Sequence, residues 1–265
     1  MMKENAIKME FGRYPQWLAK AEECEKNGDY YTVGINDAAF IYDNRFGEEY
    51  KSRYIDWEQH KDDIYFFVST PIVWRVLKET EEKLFLLSEY NIECKQFHEK
   101  NDSVIWEQSS LRKWLNGDFL RTAFNEEERE CILETEVPNE GNPISFSEGQ
   151  WIKGGPSTMD KIFLLSYRDV MNVEYGFDGY ITQSETREAK NTDWTRVMGA
   201  LTNPEKENGG WWWLRNPGRS HQRNGRIDVY GTVYFQGEPI TEFAGVRPAM
   251  YLDKKKITCE QKGNH

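Results

Sequence analysis

The sequence predicts an α+β fold with irregular antiparallel sheets, and three observations lead to that prediction. Strand-like apolar segments lie towards both ends of the chain, and two short helix patterns lie side by side near its middle. Long stretches rich in Gly, Ser, Thr and Asn precede the last strands and indicate loops. With 265 residues, of which 14% are aromatic, the chain can bury a substantial core. We therefore expect a single domain over residues 1–265.

The N-terminal quarter begins with a strand pattern. The segment IKMEFGRYPQ alternates apolar and polar residues and is interrupted at Pro15, as a short strand would be. Residues 16–27 favour a helix, and the following Gly28 is a typical helix stop. Residues 29–70 contain strand-like pieces rich in Tyr and Phe, which predict an irregular β-rich insertion.

The middle of the chain has the clearest local signals. Residues 72–77 and 83–89 are two apolar segments around a charged turn, which predicts a β-hairpin. In WEQSSLRKWLNG, either Ser109 or Ser110 is a suitable N-cap for a short helix. In NEEERECILETEV, Asn125 is the N-cap of a second short helix, and the three glutamates after it favour the helix dipole.

The C-terminal half combines loops with buried strands. A Gly-, Pro- and Ser-rich loop is expected over residues 138–157, followed by the buried-type strand KIFLLS. The segment YRDVMNVEYGF fits a helix, and residues 176–210 are expected to form long loops. The chain then returns to strands in the segments WWWLR, RIDVYGTVYFQG and GVRPAMYLD.

The composition narrows the classes of partner and compartment. A net charge of −11 disfavours general nucleic-acid binding, because a polyanion would be repelled at long range. No apolar run approaches the roughly 20 residues of a membrane-spanning helix, and the N-terminus lacks the apolar core of a secretory signal. We therefore expect a cytoplasmic protein without a membrane partner. Its four cysteines have no CxxC spacing and are expected to be idle thiols.

Six motifs carry a family resemblance. FGRYPQ, PIVWRVL, SSLRKWLNGDFLRTAFNEEE, DKIFLLS, WWWLRNPG and GVRPAMYL follow each other in this order. Together they resemble an uncharacterised bacterial domain family that ends in WWLR-x-PG and GVRPA. Residues 209–252 also resemble the end of the C-type-lectin-like fold, found in formylglycine-generating and sulfatase-modifying enzymes and in variable ligand-binding proteins of retroelements. The resemblance implies a C-type-lectin-like domain with two short helices, twisted antiparallel sheets and long loops.

The catalytic groups of the enzymatic relatives have no counterpart in this sequence. Formylglycine-generating relatives use a cysteine pair near the C-terminal strands, where this chain has only Cys259. Iron-dependent relatives need a histidine cluster, which the four scattered histidines are unsuited to form. We therefore expect no catalytic residue, no metal and no cofactor. The alternative is an enzyme derived from the formylglycine-generating branch, with an unrecognised site among the 45 acidic residues.

The preferred expectation is a non-catalytic recognition domain that uses residues 211–238. This segment has an excess of positive charge within an acidic protein, which suits an acidic protein patch or a small anionic or carbohydrate ligand. Calcium binding is weakly supported, because Glu238 and Asn216 each precede a proline but lack partners at a recognisable spacing. A structural or assembly subunit is the third hypothesis. The candidate ligand-binding residues are Trp211, Trp213, Arg219, His221, Arg223, Arg226, Tyr230 and Tyr234.

The three consecutive tryptophans divide between two faces of an extended strand. Alternation places Trp211 and Trp213 on one side, and Trp212 with Leu214 on the other. We expect the Trp212 side to pack into the core, which leaves Trp211 and Trp213 for a ligand. Arginines flanked by apolar residues are costly to bury unless paired, so we expect them to hold loops. The candidate structural residues are Arg75, Arg112, Trp114, Trp212, Arg215 and Arg247.

Overall fold

The computed structural model describes residues 6–18, 24–27, 30–33, 39–43, 64–145 and 151–257. Over these residues the chain forms sixteen strands and four short α-helices, which confirms the α+β class. The strands are β1 (Lys8–Leu18), β2 (Cys24–Asn27), β3 (Tyr30–Val33), β4 (Ala39–Asp43), β5 (Ile64–Glu79), β6 (Lys83–Ser88), β7 (Glu93–Gln96), β8 (Ile132–Leu133), β9 (Thr135–Val137), β10 (Thr158–Asp160), β11 (Ile162–Phe163), β12 (Trp212–Pro217), β13 (Arg223–Ile227), β14 (Val233–Pro239), β15 (Phe243–Val246) and β16 (Ala249–Asp253). The helices are α1 (Ser110–Trp114), α2 (Leu120–Ala123), α3 (Glu126–Cys131) and α4 (Asp193–Val197).

The larger sheet has seven strands, and all of its pairings are antiparallel. Strand β5 pairs with β1 along one edge and with β6 and β4 along the other. The predicted hairpin of β5 and β6 is confirmed. Strand β16 lies beside β6, and its other edge pairs with β8 and β11. Among the described strands, β16 therefore lies inside this sheet and β1 lies at its border.

The smaller sheet has five strands in the order β14, β13, β12, β15 and β7. Its pairings are antiparallel except for the parallel contact between β12 and β15. The central strand β12 carries the consecutive tryptophans, and β13 and β14 follow it as two successive hairpins. This sheet thus contains the segment that the sequence analysis selected for recognition.

The two predicted short helices are confirmed, and each begins at the expected cap. The Ser109 side chain accepts a hydrogen bond from the backbone N–H of Arg112 at the start of α1. A π-helical turn over residues 115–119 joins α1 to α2 without a break. Asn125 and Glu128 form a reciprocal capping box at the start of α3. None of the helices in the described ranges is long and apolar enough to cross a membrane.

Three local predictions are wrong where the structure describes them. The helix predicted over residues 16–27 is replaced by the end of β1 and by β2, because pairing with distant strands outweighs local helix propensity. The helix predicted for YRDVMNVEYGF is two 3₁₀ turns, at Asp169–Met171 and Val173–Tyr175. Only Ile162–Phe163 of KIFLLS forms a strand. Strands β3, β4 and the start of β5 lie within residues 29–70, where the β-rich insertion is predicted, and the other residues of this stretch up to Asp63 lie outside the described ranges.

Strand β12 is buried on both faces, which corrects the expected exposure of Trp213. The indole N–H of Trp212 donates to the carbonyl of Arg187 at 3.1 Å, and that of Trp213 donates to the carbonyl of Lys95 at 2.9 Å. Both side chains have 0% exposure. The Trp213 ring packs edge-on against Phe97, with 6.0 Å between ring centroids. Trp212 and Trp213 do lie on opposite faces, but the Trp213 face is also buried because Lys95 and Phe97 contact it.

Buried arginines connect the loops to the sheets. Arg187 is fully buried and donates to the carbonyl oxygens of Gly231 (2.7 Å), Asp178 (2.8 Å) and Thr182 (2.6 Å). One guanidinium group therefore holds two separate loops. A buried carbonyl without a donor costs about 1–3 kcal/mol, so these contacts stabilise conformations that have few backbone partners of their own.

The arginines selected from the sequence also contact backbone or carboxylate groups. Arg247 is fully buried and donates to the carbonyl of Ser88 at 2.8 Å. Burial and the nearby charge of Arg75 lower the pKa of Arg247 to about 9, which reflects the cost of burying this cation. Arg75 forms an ion pair with Glu89 at 3.0 Å and donates to the carbonyl of Thr186 at 2.9 Å.

Two further predicted structural residues, Arg112 and Trp114, lie on α1. Arg112 pairs with the buried carboxylate of Asp160 at 2.7 Å. Trp114 is half-buried and packs on Phe119, with 5.2 Å between ring centroids. The ammonium group of Lys95 lies 4.7 Å from the centre of the Trp114 ring. Both side chains therefore attach α1 to neighbouring segments.

We predict that Arg187→Met lowers the free energy of unfolding by about 3 kcal/mol or more, because several buried carbonyls lose their donor. Urea denaturation measures this change. The control is Arg121→Met, since the Arg121 side chain is 66% exposed. That substitution should change stability by less than about 1 kcal/mol. Equal effects of the two substitutions would contradict the role assigned to Arg187.

Candidate functional site

The eight residues predicted to contact a ligand do not form one cluster. Arg219 lies in the turn between β12 and β13, whereas Tyr230 lies in the turn between β13 and β14, at the opposite end of the strands. Trp213 is in the core. His221 is held by the loop before β10, because its Nε2 lies 2.8 Å from the carbonyl oxygen of Lys153. The remaining four residues come together on one face of the sheet.

The carboxylate of Glu238 is the centre of this face. Its Oε1 accepts hydrogen bonds from Nη2 and Nε of Arg226, at 3.0 and 3.2 Å. Its Oε2 accepts from Nη2 of Arg223 at 3.3 Å. Arg223 also donates from Nε to the carbonyl of Gly237 at 2.9 Å. One carboxylate therefore orients two guanidinium groups.

Two aromatic rings flank the Arg226 guanidinium. Its central carbon lies 4.4 Å from the centroid of the Tyr234 ring and 5.1 Å from that of Trp211. Such distances are typical of cation–π contacts. All of these side chains are half-buried. We call Trp211, Arg223, Arg226, Tyr234 and Glu238 the arginine–aromatic face.

Strand register explains why these residues meet. Arg226 lies directly opposite Tyr234 in the antiparallel pair of β13 and β14. An irregularity then follows, in which Asn224 pairs with Glu238. Gly237 has φ of 69°, and a Cβ atom at this position would lie 2.5 Å from the carbonyl oxygen of Asn224. A glycine is therefore required here, and the local bend lets Glu238 reach both arginines.

Arg219 extends the positive charge at the edge of the face. The backbone N–H of Arg219 donates to the carbonyl of Gln236 at 3.0 Å, and Arg219 is exposed. Tyr230 lies elsewhere, with the ammonium group of Lys206 at 5.4 Å from its ring centre and Asn203 donating to its hydroxyl at 3.4 Å. Only four of the eight predicted ligand contacts therefore lie together on one face.

The environment of Glu238 is unsuited to a metal cation, because two guanidinium groups already face its oxygens. Over the described residues, no three His, Cys, Asp or Glu side chains are placed to hold a metal ion. The Cys94 thiol is buried, and burial followed by the charge of Glu93 raises its pKa well above the usual value. That environment disfavours the thiolate form that a nucleophilic cysteine needs.

Glu238 is a residue of this face that is missing from the predicted contacts. A single acid near several arginines in successive hairpin strands is the sequence signal for such an ion-pair network. Its position opposite Asn224 depends on the irregular pairing near Gly237. In a regular register, the Glu238 carboxylate would lie elsewhere and would not contact both arginines.

The family described as Domain of unknown function (DUF6273) matches residues 81–254. The match includes β6 to β16 and therefore the whole arginine–aromatic face. It does not include β1 to β5. No curated protein and no solved structure matches the chain.

We predict that Glu238→Gln lowers the free energy of unfolding by about 0.5–1 kcal/mol, because two partly exposed arginines lose a shared anion. Chemical denaturation at low and high salt measures the difference, which should shrink as salt increases. The control is Glu242→Gln, at an exposed position three residues after the end of β14. If both substitutions gave the same small change, the ion-pair network would not contribute to stability.

Proposed function

The chain belongs to the DUF6273 family, and from this premise we propose that it is a non-catalytic recognition domain with a C-type-lectin-like fold. The arginine–aromatic face is the proposed contact surface. The observation that carries this proposal is the convergence of Trp211, Arg223, Arg226 and Tyr234 around Glu238. These residues come from three neighbouring strands and are held in place before any ligand binds.

The charges of this surface favour an anionic ligand. Arg223 and Arg226 place two positive charges on the single carboxylate of Glu238, and Arg219 adds an exposed positive charge in the turn between β12 and β13. The protein as a whole has a net charge of −11, so attraction of an anion has to come from short-range contacts. An acidic protein segment or a small anionic carbohydrate offers groups for guanidinium hydrogen bonds and a body that packs on the aromatic rings.

Preorganisation supports recognition at this face. The Arg226 side chain is fixed by two rings and by a carboxylate, so little side-chain entropy remains to be lost when a ligand binds. Arg219 is exposed and can adapt to the shape of the ligand. A fixed centre with an adaptable edge is a common arrangement in recognition surfaces.

The C-type-lectin-like fold is proposed on the combination of elements. The two larger sheets, antiparallel apart from the contact between β12 and β15, are accompanied by a helical segment from α1 to α3 within the described residues. Residues 138–145 and 151–211 contain only short elements, which is the long-loop character that the resemblance implies. Fold alone does not fix function, so the ligand is argued from the face.

Two other functions lead to different observations. An enzyme of the formylglycine-generating branch would need a reactive thiol or a catalytic carboxylate pair, and the buried environment of Cys94 disfavours this residue as the thiol. An assembly subunit would form a stable oligomer without added ligand.

We predict a monomer in light scattering at high protein concentration, because recognition of a separate partner requires no self-association. A stable oligomer would favour the assembly function.

We predict that Arg219→Ala combined with Arg223→Ala weakens binding of an anionic ligand by at least about tenfold, because charged hydrogen bonds are lost. The ligands used as probes are glucuronate and a polyglutamate peptide. Their binding is measured from the chemical shifts of residues 211–238. The melting temperature should fall by less than about 4 °C, since both side chains are partly or largely exposed.

The matched control is Lys113→Ala combined with Arg121→Ala, which removes the same charge from exposed positions on α1 and α2. It should leave the affinity within about twofold of the wild type. Equal weakening by both double variants would indicate unspecific attraction. A stability loss of several kcal/mol in the Arg219/Arg223 variant would make those arginines architectural instead.

A further inference from the structure

A second concave region lies away from the arginine–aromatic face. It consists of two cavities of about 210 Å³ and about 370 Å³, which share Glu140 and Arg168 in their walls. These two side chains form an ion pair at 2.9 Å, with 40% and 77% of their surfaces exposed. The smaller cavity lies among β9, the end of β11, the 3₁₀ turns after it, and β16. None of its lining residues was selected from the sequence as a ligand contact.

The floor of the smaller cavity contains an ion pair with unused hydrogen-bonding groups. Arg215 is 6% exposed and donates from Nη1 to Oδ2 of Asp169 at 2.8 Å. It also donates to the carbonyls of Pro138 and Leu164, at 3.1 and 2.8 Å. Oδ2 of Asp169 accepts two further bonds, from the N–H and the hydroxyl of Ser166.

Arg215 and Asp169 each have one further polar side-chain atom without a hydrogen-bond partner within the described residues. Nη2 of Arg215 donates no hydrogen bond there, and Oδ1 of Asp169 accepts none. Both residues line the cavity. The cavity lining therefore includes one charged donor and one charged acceptor, on two residues that pair with each other through their other atoms. A hydroxyl group satisfies both at once, because it accepts one hydrogen bond and donates another.

Aromatic rings form the apolar part of the same cavity. Phe85 stacks on Tyr251 with 4.5 Å between ring centroids, and Tyr175 contacts Phe85 edge-on at 5.2 Å. Phe163 lies beside this group, 6.0 Å from Phe85. The two phenylalanines are buried, whereas the two tyrosines are half-buried and line the opening. Rings of this kind bind the apolar face of a small ring-shaped ligand.

The tyrosine hydroxyls stay neutral at physiological pH. Burial raises the pKa of Tyr251 to about 12, with smaller contributions from Tyr175 and Asp169. Burial followed by the charge of Asp169 also raises the pKa of Tyr175. Both hydroxyls can therefore donate and accept hydrogen bonds at the opening of the cavity.

The charges around the cavity are nearly balanced. Asp169 is paired with Arg215 and Glu140 with Arg168, which leaves Glu136 as the additional charged residue of the lining. An anionic ligand would meet three carboxylates, and a cationic one would meet two guanidinium groups. An uncharged ligand meets neither kind of repulsion.

We propose that the smaller cavity binds an uncharged, hydroxylated ring, with one hydroxyl bridging Arg215 Nη2 and Asp169 Oδ1 and the ring packed against Tyr175 and Tyr251. This site goes beyond the proposed recognition face and takes a different class of ligand. A monosaccharide and a cyclitol both have this chemistry. Arg215 thus has two functions, since it holds two loop carbonyls and presents its remaining nitrogen to the ligand.

The test is a chemical-shift titration of the complete chain with glucose, myo-inositol, glucuronate and glucosamine. The four probes have rings of similar size, and only the last two add a charge. We expect glucose or myo-inositol to shift residues 135–140 and 166–175 in a saturable manner, and the stronger of the two identifies the source of the ring. Glucuronate and glucosamine should bind at least tenfold more weakly at these residues. Equal binding of a charged probe, or no saturable shift by either neutral ring, would overturn the proposal.

The variant is Tyr175→Ala. Tyr175 lies on a short 3₁₀ turn, and within the described residues its side chain donates no hydrogen bond to a loop carbonyl. Affinity for the neutral ring should fall at least fivefold. Tyr180→Ala is the control, since Tyr180 is 52% exposed and does not line the cavity. The Arg219/Arg223 double variant should also bind the neutral ring normally. Unchanged affinity in Tyr175→Ala, or an equal loss in Tyr180→Ala, would place the binding elsewhere and overturn the proposal.

Discussion

Hydrogen bonds from buried guanidinium groups to loop carbonyls are the interaction on which this structure depends. Long parts of the chain contain only short helices and strands, so many carbonyl groups have no partner in a regular element. Arg187 and Arg215 are buried and donate to such carbonyls, and the buried Arg247 donates to that of Glu89, directly after β6. Arginine suits this role because its planar group offers five donors and remains charged, whereas any shorter side chain would reach fewer loops.

This constraint also positions both candidate sites around strand β12. Trp212 and Trp213 bury the two faces of the strand, and Trp211 at its start contacts Arg226. Arg215, near its end, reaches the loops that enclose the smaller cavity. The tryptophans fix the strand between two layers, and the arginines on and beside it connect that fixed strand to the surface. A rigid central strand with functional groups at its ends and edges is well suited to binding without movement.

The sequence predicted what depends on local patterns. The capped helices, the hairpin of β5 and β6 and the α+β class follow from capping residues and apolar periodicity. Features set by distant parts of the chain could not be predicted in the same way. Trp213 is buried because residues around β7 cover its face, and Glu238 meets two arginines because the pairing is irregular near Gly237. Asp169 becomes a cavity residue only when its turn packs against Arg215.

The central claim is that buried arginines make the loops as stable as the sheets. Native-state amide hydrogen exchange of the unmodified protein tests it most directly. The amide of Ser184 donates to the carbonyl of Tyr230 at 3.0 Å, and that of Val233 donates to the carbonyl of Ile181 at 2.9 Å, both beside the Arg187 guanidinium contacts. We predict that these two amides, which join loop residues to each other or to the start of β14, exchange as slowly as those of β6 and β16, through global unfolding. Exchange within seconds, while the strands stay protected, would contradict the claim.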